Sequence, residues 1–468
     1  MKEPWALERT ILAARFAVLL AALACFLVPF ASFAADGTEA GLRIGLAYGA
    51  NAPASCEIAS ASGFILAVPE ADGFREGMPL PAYTRLTVSA NGGRTTLHAD
   101  GVLVSDDIGV GTCVLSYDYA TGTPILYEGS PYRGGLSFRP NSNNTFNVIN
   151  RLSVEEYLYG VVNSEMGYKN PPEALKAQAV AARSYVACKA NTHAEDGFDM
   201  CASAHCQVYK GYADEHAETG AAVDATAGLV LRHNGTPVSG NYFKNSGGHT
   251  QSSEDVWGAA EAYLRGVPDE YSPPYTWGWQ LSFRELRTLL AAAGEDPGDV
   301  AVVFVSERNA NGNVKAMTII GDTGTVVLEK NRIRTVLGAS NVKSLRFTFD
   351  GAIPALPQTP AIRVASADGA GSLASGAYVL SADGFGAFEA ADTFLQSASE
   401  RVRASESAEA TGGEQTKDEP VTGGSVTFTG SGYGHGVGLP QDSAIEMANR
   451  GYDFRQILTK YFTGVQIG

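Results

Sequence analysis

The run Ala174-Leu175-Lys176-Ala177-Gln178-Ala179-Val180-Ala181-Ala182-Arg183-Ser184-Tyr185 constrains the fold more than any other stretch of the chain. Alanine has the highest helix propensity and leaves little side chain between backbones. Asn170-Pro171-Pro172-Glu173 precedes the run and is a helix start, since proline is tolerated in the first turn. The expected helix extends from Ala174 to about Ala190 and is central and buried, with other chain segments lying close against it. Lys176, Val180, Arg183 and Ala187 share one of its faces. Two cations there are unusual for a pure core element.

The segments on either side follow different periods. From Gly41 to about Val148 short alternating runs recur, such as Leu42-Arg43-Ile44-Gly45-Leu46, Arg85-Leu86-Thr87-Val88 and Gly101-Val102-Leu103-Val104. Such runs, separated by Gly, Asn and Asp, predict strands. At Ser153-Val154-Glu155-Glu156 a capping box opens a helix. Leu229 to His233, Asn234-Gly235 and Pro237-Val238 predict a hairpin, Leu281 to Ala293 a helix, and Val300 to Phe349 several strands. The expected fold class is α+β: a β-rich N-terminal part and a central alanine-rich helix with β-hairpins forming a cleft. The expected divisions are residues 1–35, 36–146, 147–352, 353–424 and 425–468. Residues 353–424 look inserted; a small hairpin is expected around Tyr378 and Phe388, and the stretch from Ser397 to Gly424 has the composition of a solvated segment.

Charge and termini bound the function. The formal net charge of the 468 residues is -16, which excludes a nucleic-acid partner on bulk electrostatics. Any anionic polymer must be held by local cations in a cleft. Arg9 and Arg15 precede an apolar run from Phe16 to about Phe33, followed by Ala34-Ala35-Asp36. That pattern predicts a secretory signal or an N-terminal anchor, hence an exported, extracellular or envelope-located protein. Cys25 would leave with a cleaved signal. Cys56 and Cys113 lie among the strands, either paired or as two buried thiols, and Cys188 is expected to pack on a helix.

Five clusters carry polar chemistry. Glu165, in Asn163-Ser164-Glu165-Met166-Gly167, lies just past a helix end; desolvation there would make it a usable general acid, and a solvated terminal carboxylate is the alternative. Arg183 either pairs with a carboxylate such as Glu165 or holds a ligand's carboxylate or acyl oxygen. Alternation in Asn241-Tyr242-Phe243-Lys244-Asn245-Ser246-Gly247-Gly248 puts Tyr242 and Lys244 on one face before a sharp turn that exposes polar groups such as Ser246. Gly432-Tyr433-Gly434-His435-Gly436-Val437-Gly438 lets backbone approach a ligand closely, with His435 inside it and Gln441 just beyond. His193, Cys201, His205 and Cys206 suit tetrahedral zinc, with a Cys201-Cys206 disulfide as the competing arrangement.

Taken in order, these motifs resemble the SpoIID/LytB-domain family. The resemblance rests on Glu156-Tyr157-Leu158 with Gly160-Val161, Ser164-Glu165-Met166, the helix from Glu173 to Tyr185, Cys206 to Gly211, the Gly247-Gly248 and Val256-Trp257-Gly258 turns, and Gly434 to Gly438. It implies a peptidoglycan lytic transglycosylase in which Glu165 is catalytic. Arg183, Tyr242 and Lys244 match the family's activity-linked residues, and Lys176, Ser246, His435 and Gln441 join them as expected substrate-binding groups. It also implies structural zinc at Cys201, His205 and Cys206, with His193 the expected fourth ligand, and no catalytic cofactor. Peptidoglycan glycan strands, and other cell-wall hydrolases, are the expected partners. A non-catalytic wall-binding module or amidase enhancer is the alternative, and a hydrolase using Glu254 or Asp255 a third reading. One departure stands out: the family's Met-Ser-Gln-Tyr-Gly-Ala is here Leu439-Pro440-Gln441-Asp442-Ser443-Ala444.

Overall fold

The computed structural model describes residues 41–70, 73–349 and 420–468, with four short strands between 378 and 403. The expected signal or anchor at 1–35, Cys25 and most of 353–424 lie outside the described residues. Among the described residues, no helix is long and apolar enough to cross a membrane. The chain is α+β and forms two compact units: Met1–Glu165 with Val186–His216, and Met166–Tyr185 with Ala217–Gly468. The motif-bearing stretch 147–352 contributes to both.

The first unit holds the expected N-terminal strands. They make a seven-stranded sheet in the order Met200–Cys201, Leu42–Ala47, Phe146–Leu152, Gly135–Pro140, Cys113–Ser116, Phe64–Glu70, Gly73–Leu80. A six-stranded sheet runs Ser130–Tyr132, Ile125–Tyr127, Ser55–Ala59, Arg85–Asn91, Arg94–Ala99, Val102–Ser105. Ile58, Leu86 and Val88 from the second sheet and Phe64, Leu136 and Phe138 from the first belong to one buried apolar core. Cys56 and Cys113 are free, buried thiols, both pushed up to about 12 by burial. The helix Val154–Met166 opens on the expected box: Ser153 Oγ accepts from the Glu156 N–H at 3.2 Å, and Glu156 accepts from the Ser153 N–H at 2.9 Å.

The second unit is built around the alanine-rich helix Pro172–Lys189, whose last turn passes into the first unit. Ala174, Ala177, Ala179, Ala181 and Ala182 are fully buried. Their small size has a use: a Cβ at Gly240 would stand 2.2 Å from the Ala181 carbonyl oxygen, so a crossing backbone touches the helix directly. The last turn behaves differently from expectation. Cys188 is exposed rather than packed, because burial stops at Val186.

Around the helix lie small sheets. Leu231–His233 pairs with Thr236–Pro237 and with Val465–Ile467. Asn234 and Gly235 have φ of 52° and 81°, the positive values a two-residue primed turn requires. Tyr242–Phe243 pairs with Leu439–Pro440 in parallel. Thr276–Ser282, Ser425–Ser431 and Phe347–Phe349 form one three-stranded sheet, and Val300–Arg308, Val314–Gly321 and Thr325–Glu329 another. The expected helix after Leu281 is Phe283–Ala292, capped by Ser282 and Glu285. Tyr378–Ser381 pairs with Gly384–Ala387, close to the expected small hairpin.

Candidate functional site

In the first unit, Glu165 lies within the last turn of the helix Val154–Met166, half-buried, not just past the helix end as expected, because the helix runs on to Met166 before Gly167 ends it. The segment 207–214 runs beside this helix because Gly160 lets it approach: a Cβ there would lie 2.9 Å from the Gly211 carbonyl oxygen and 2.8 Å from the Tyr209 ring. Glu165 Oε1 accepts a hydrogen bond from the Val208 N–H at 2.8 Å, which fixes the carboxylate's orientation. Ser164 donates to Asp214 Oδ2 at 2.5 Å and Asn163 to the Asp214 carbonyl at 2.9 Å. Tyr157 and Tyr209, both buried, pack in a tilted contact with ring centroids 5.0 Å apart, and Tyr209 donates to Asn150. The local sequence marked Glu165 but gave no sign of Asp214 or of Val208, since neither lies within its own helix.

The same unit brings His193, Cys201, His205 and Cys206 together, their ligand atoms all within 4.8 Å of one another. His193 Nε2 and His205 Nδ1 are 3.2 Å apart, Cys206 Sγ and His205 Nδ1 3.5 Å, Cys201 Sγ and His205 Nδ1 3.7 Å. Zinc bonds of about 2.0–2.1 Å to nitrogen and about 2.3 Å to sulfur make tetrahedral edges of about 3.3 Å for N–N and about 3.5 Å for N–S. The residues present fit the ion. His193 Nδ1 faces Asp196 Oδ2 at 3.2 Å, the outer carboxylate that fixes a ligating imidazole, and its ring stacks on Phe198 at 4.8 Å. Burial pushes the Cys201 thiol up, yet hydrogen bonds from Ser203 and His205 overcome it and hold it at about 5. Burial raises Cys206 to about 11. Both thiols are free, so the expected alternative of a Cys201-Cys206 bond is not formed.

In the second unit two distant segments, 241–250 and 432–443, meet. Tyr242 pairs with Leu439 and Asn245 bridges to Tyr433. Lys244 forms an ion pair with Asp442 at 2.7 Å, and Asn245 donates to the same carboxylate at 3.0 Å. The departure from the family motif therefore supplies Lys244's partner. Ser246 is buried and donates to Asp269 Oδ2 at 2.5 Å; Ser443 donates to the same oxygen at 2.7 Å and the Tyr461 hydroxyl to Oδ1 at 2.8 Å. Asp269 was not legible in the sequence because its partners lie far away in the chain. His435 Nδ1 accepts from the Val437 N–H at 3.1 Å, and the ring also bonds the Tyr242 backbone. Burial and the Arg334 charge lower its pKa to about 4, so the ring is neutral. Gln441 is buried, its amide 3.5 Å from Gln178 Oε1 on the alanine-rich helix.

The remaining expected residues sit on that helix. Lys176 pairs with Glu173 at 2.7 Å on its half-exposed side. Arg183 is buried and donates to the Leu229 carbonyl at 3.1 Å and the Val223 carbonyl at 3.4 Å. Of the other carboxylates considered, Glu254 is gripped by both Arg265 nitrogens at 2.6 and 2.5 Å, a contact that holds its pKa down. Asp255 accepts from Asn309 at 3.0 Å.

Residues 142–233 match the family model for SpoIID, Stage II sporulation protein. The chain is 26% identical to a stage II sporulation protein D of Bacillus amyloliquefaciens over 339 residues, 68% of this chain and 75% of that one. It is 29% identical to an uncharacterized protein of Brachyspira hyodysenteriae over 352 residues, 75% of each chain. An amidase enhancer of Bacillus subtilis is 33% identical over 172 residues, 36% of this chain and 23% of that protein. The matched stretch contains the Glu165 turn, the alanine-rich helix and the Cys/His cluster, so the similarity to SpoIID covers these motifs.

Proposed function

We propose that this protein is an exported peptidoglycan lytic transglycosylase that cleaves the MurNAc-GlcNAc bond, with Glu165 as its general acid and base. The observation that carries the reading is the fixed Glu165 carboxyl in the family-matched domain, held through Oε1 by the Val208 N–H. Ordinary glycosidases use two carboxyl groups, one acid and one base or nucleophile. Here one suffices, because the nucleophile belongs to the substrate. Protonated Glu165 gives its proton to the glycosidic oxygen as the bond from the anomeric carbon breaks. The muramic acid's own 6-hydroxyl oxygen then bonds to that carbon, and the carboxylate takes the hydroxyl proton. The product is a 1,6-anhydro-MurNAc end, and Glu165 is regenerated as the acid.

Zinc would be held by His193, Cys201, His205 and Cys206. Four protein ligands close a tetrahedral site, so the ion would supply rigidity to the segment 193–206 and not an open position for substrate. Lys176, half-exposed, is the cation proposed to hold acyl or lactyl oxygens of the strand, whereas Arg183 is committed to backbone carbonyls and Lys244 to Asp442.

The similarity to an amidase enhancer favours a second reading, a wall-binding module that cuts nothing. Product chemistry separates the readings. Mass spectrometry of glycan strands incubated with the full chain is expected to find new anhydro-muramic ends. Reducing ends instead would mean a hydrolase, and strands left intact a binding module.

A further inference from the structure

Of the described tryptophans, Trp257 is the most open to solvent, 44% exposed. The exposure is not that of a loose loop. Trp257 ends the short helix Ser253–Val256, with its N–H bonded to the Ser253 carbonyl at 2.8 Å. Val256 is in the core, and its carbonyl accepts from the Asn331 N–H at 3.3 Å. Glu254 is clamped by Arg265 and Asp255 accepts from Asn309, so the two residues before Val256 are also tied down. Gly258 turns the chain with φ of 93°.

The indole leans on His435, ring centroids 5.1 Å apart, and His435 in turn packs on Phe243 at 5.5 Å. His435 is itself immobilised. One ring nitrogen accepts from the Val437 N–H, the ring also bonds the Tyr242 backbone, and its carbonyl accepts from Gln251 at 3.1 Å. Three aromatic rings from distant parts of the second unit thus pack in a row of tilted contacts that ends at the surface in an exposed indole. Leaving nearly half of so large an apolar ring in water forgoes part of its burial, and rigid exposed aromatics are features of binding sites.

We propose that Trp257 is a stacking platform for one pyranose ring of the glycan strand, a subsite that rests on the glycan reading above. A pyranose presents C–H bonds on its face and hydroxyls on its rim, which matches an indole face bordered by polar groups. Lys330 supplies one such group: its Nζ would lie 3.4 Å from a Cβ placed on Gly258. His435 buttresses the indole from below.

The test uses the full chain carrying Glu165→Gln, so that binding is measured without turnover, and an N-acetylglucosamine oligomer as the probe. Calorimetry should show Trp257→Ala weakening binding about tenfold or more, with Trp257→Phe recovering part of the loss and melting temperatures unchanged. Indole emission should shift on adding the oligomer, and the shift should vanish in Trp257→Phe. If the parent binds the oligomer and Trp257→Ala binds it equally well, the platform is overturned while the glycan reading stands. If the parent binds neither the oligomer nor isolated glycan strands, the glycan reading falls and the platform with it.

Discussion

The two units treat their polar residues in opposite ways. In the first, four ligand atoms of His193, Cys201, His205 and Cys206 converge within 4.8 Å, with edges that suit an ion at their centre. In the second, convergent polar groups are already answered by protein: Asp269 takes Ser246, Ser443 and Tyr461, and Lys244 takes Asp442. Donor types tell the two apart. Thiolates and imidazole nitrogens are soft donors whose mutual hydrogen bonds are weak and which suit a cation between them, whereas a carboxylate ringed by hydroxyls is complete by itself. Residues of the second kind therefore hold loops in place, and changing them should act on stability before it acts on chemistry.

The sharpest contrast should come from Glu165. Glu165→Gln keeps the size and one hydrogen-bond acceptor but has no proton to transfer. Formation of anhydro ends should fall about 10²–10⁴-fold, with the melting temperature nearly unchanged. Activity close to the parent protein would remove Glu165 as the acid. Next in size is the metal cluster. Cys201→Ser should abolish stoichiometric zinc in elemental analysis and cost about 3 kcal/mol or more, roughly 6–12 °C in melting temperature. A protein free of metal whose peptide map shows a Cys201-Cys206 bond would make this cluster as self-sufficient as the one at Asp269. Asp269→Ala should leave three buried hydroxyls without their acceptor and cost about 3 kcal/mol, read by denaturant unfolding, with zinc content unaffected.

A last effect, confined to a narrow window, concerns pH. His435 titrates near 6.5 in an unfolded chain and at about 4 in the folded one, where burial and the Arg334 charge disfavour its protonation. The unfolded state therefore binds more protons between those values. The stability contribution is full above about pH 6.5 and is lost as the pH falls towards about 4. Comparing His435→Gln with the parent across that window should give a shallower loss in the variant; parallel curves would show that His435 is not held neutral by the fold.

Legibility followed the range of the forces. The capping box at Ser153, the Asn234-Gly235 turn and the strands before Val148 could be read because each is set by residues a few positions apart. The alanine-rich helix was readable as buried as far as Val186, but not the exposure of Cys188, since an alanine pattern does not say where the covering chain ends. Within the candidate site, Cys and His side chains announce candidate metal ligands by their chemistry. Asp214, Asp269 and Asp442 announce nothing, because an aspartate has the same local appearance whether it is solvated or buried beneath three hydroxyls.

The sequence by itself determined the α+β class, the central helix, the ligand type of the Cys/His cluster and the turn that carries Glu165. Those depend on backbone propensity, side-chain size and donor chemistry, which are local. Only the tertiary structure decided that Glu165 is oriented by the Val208 N–H, that Lys244 is paired with Asp442, and that Trp257 stands exposed on His435 and Phe243. Each depends on segments far apart in the chain being brought within a few ångströms, and a hydrogen bond or ring contact acts only at that range.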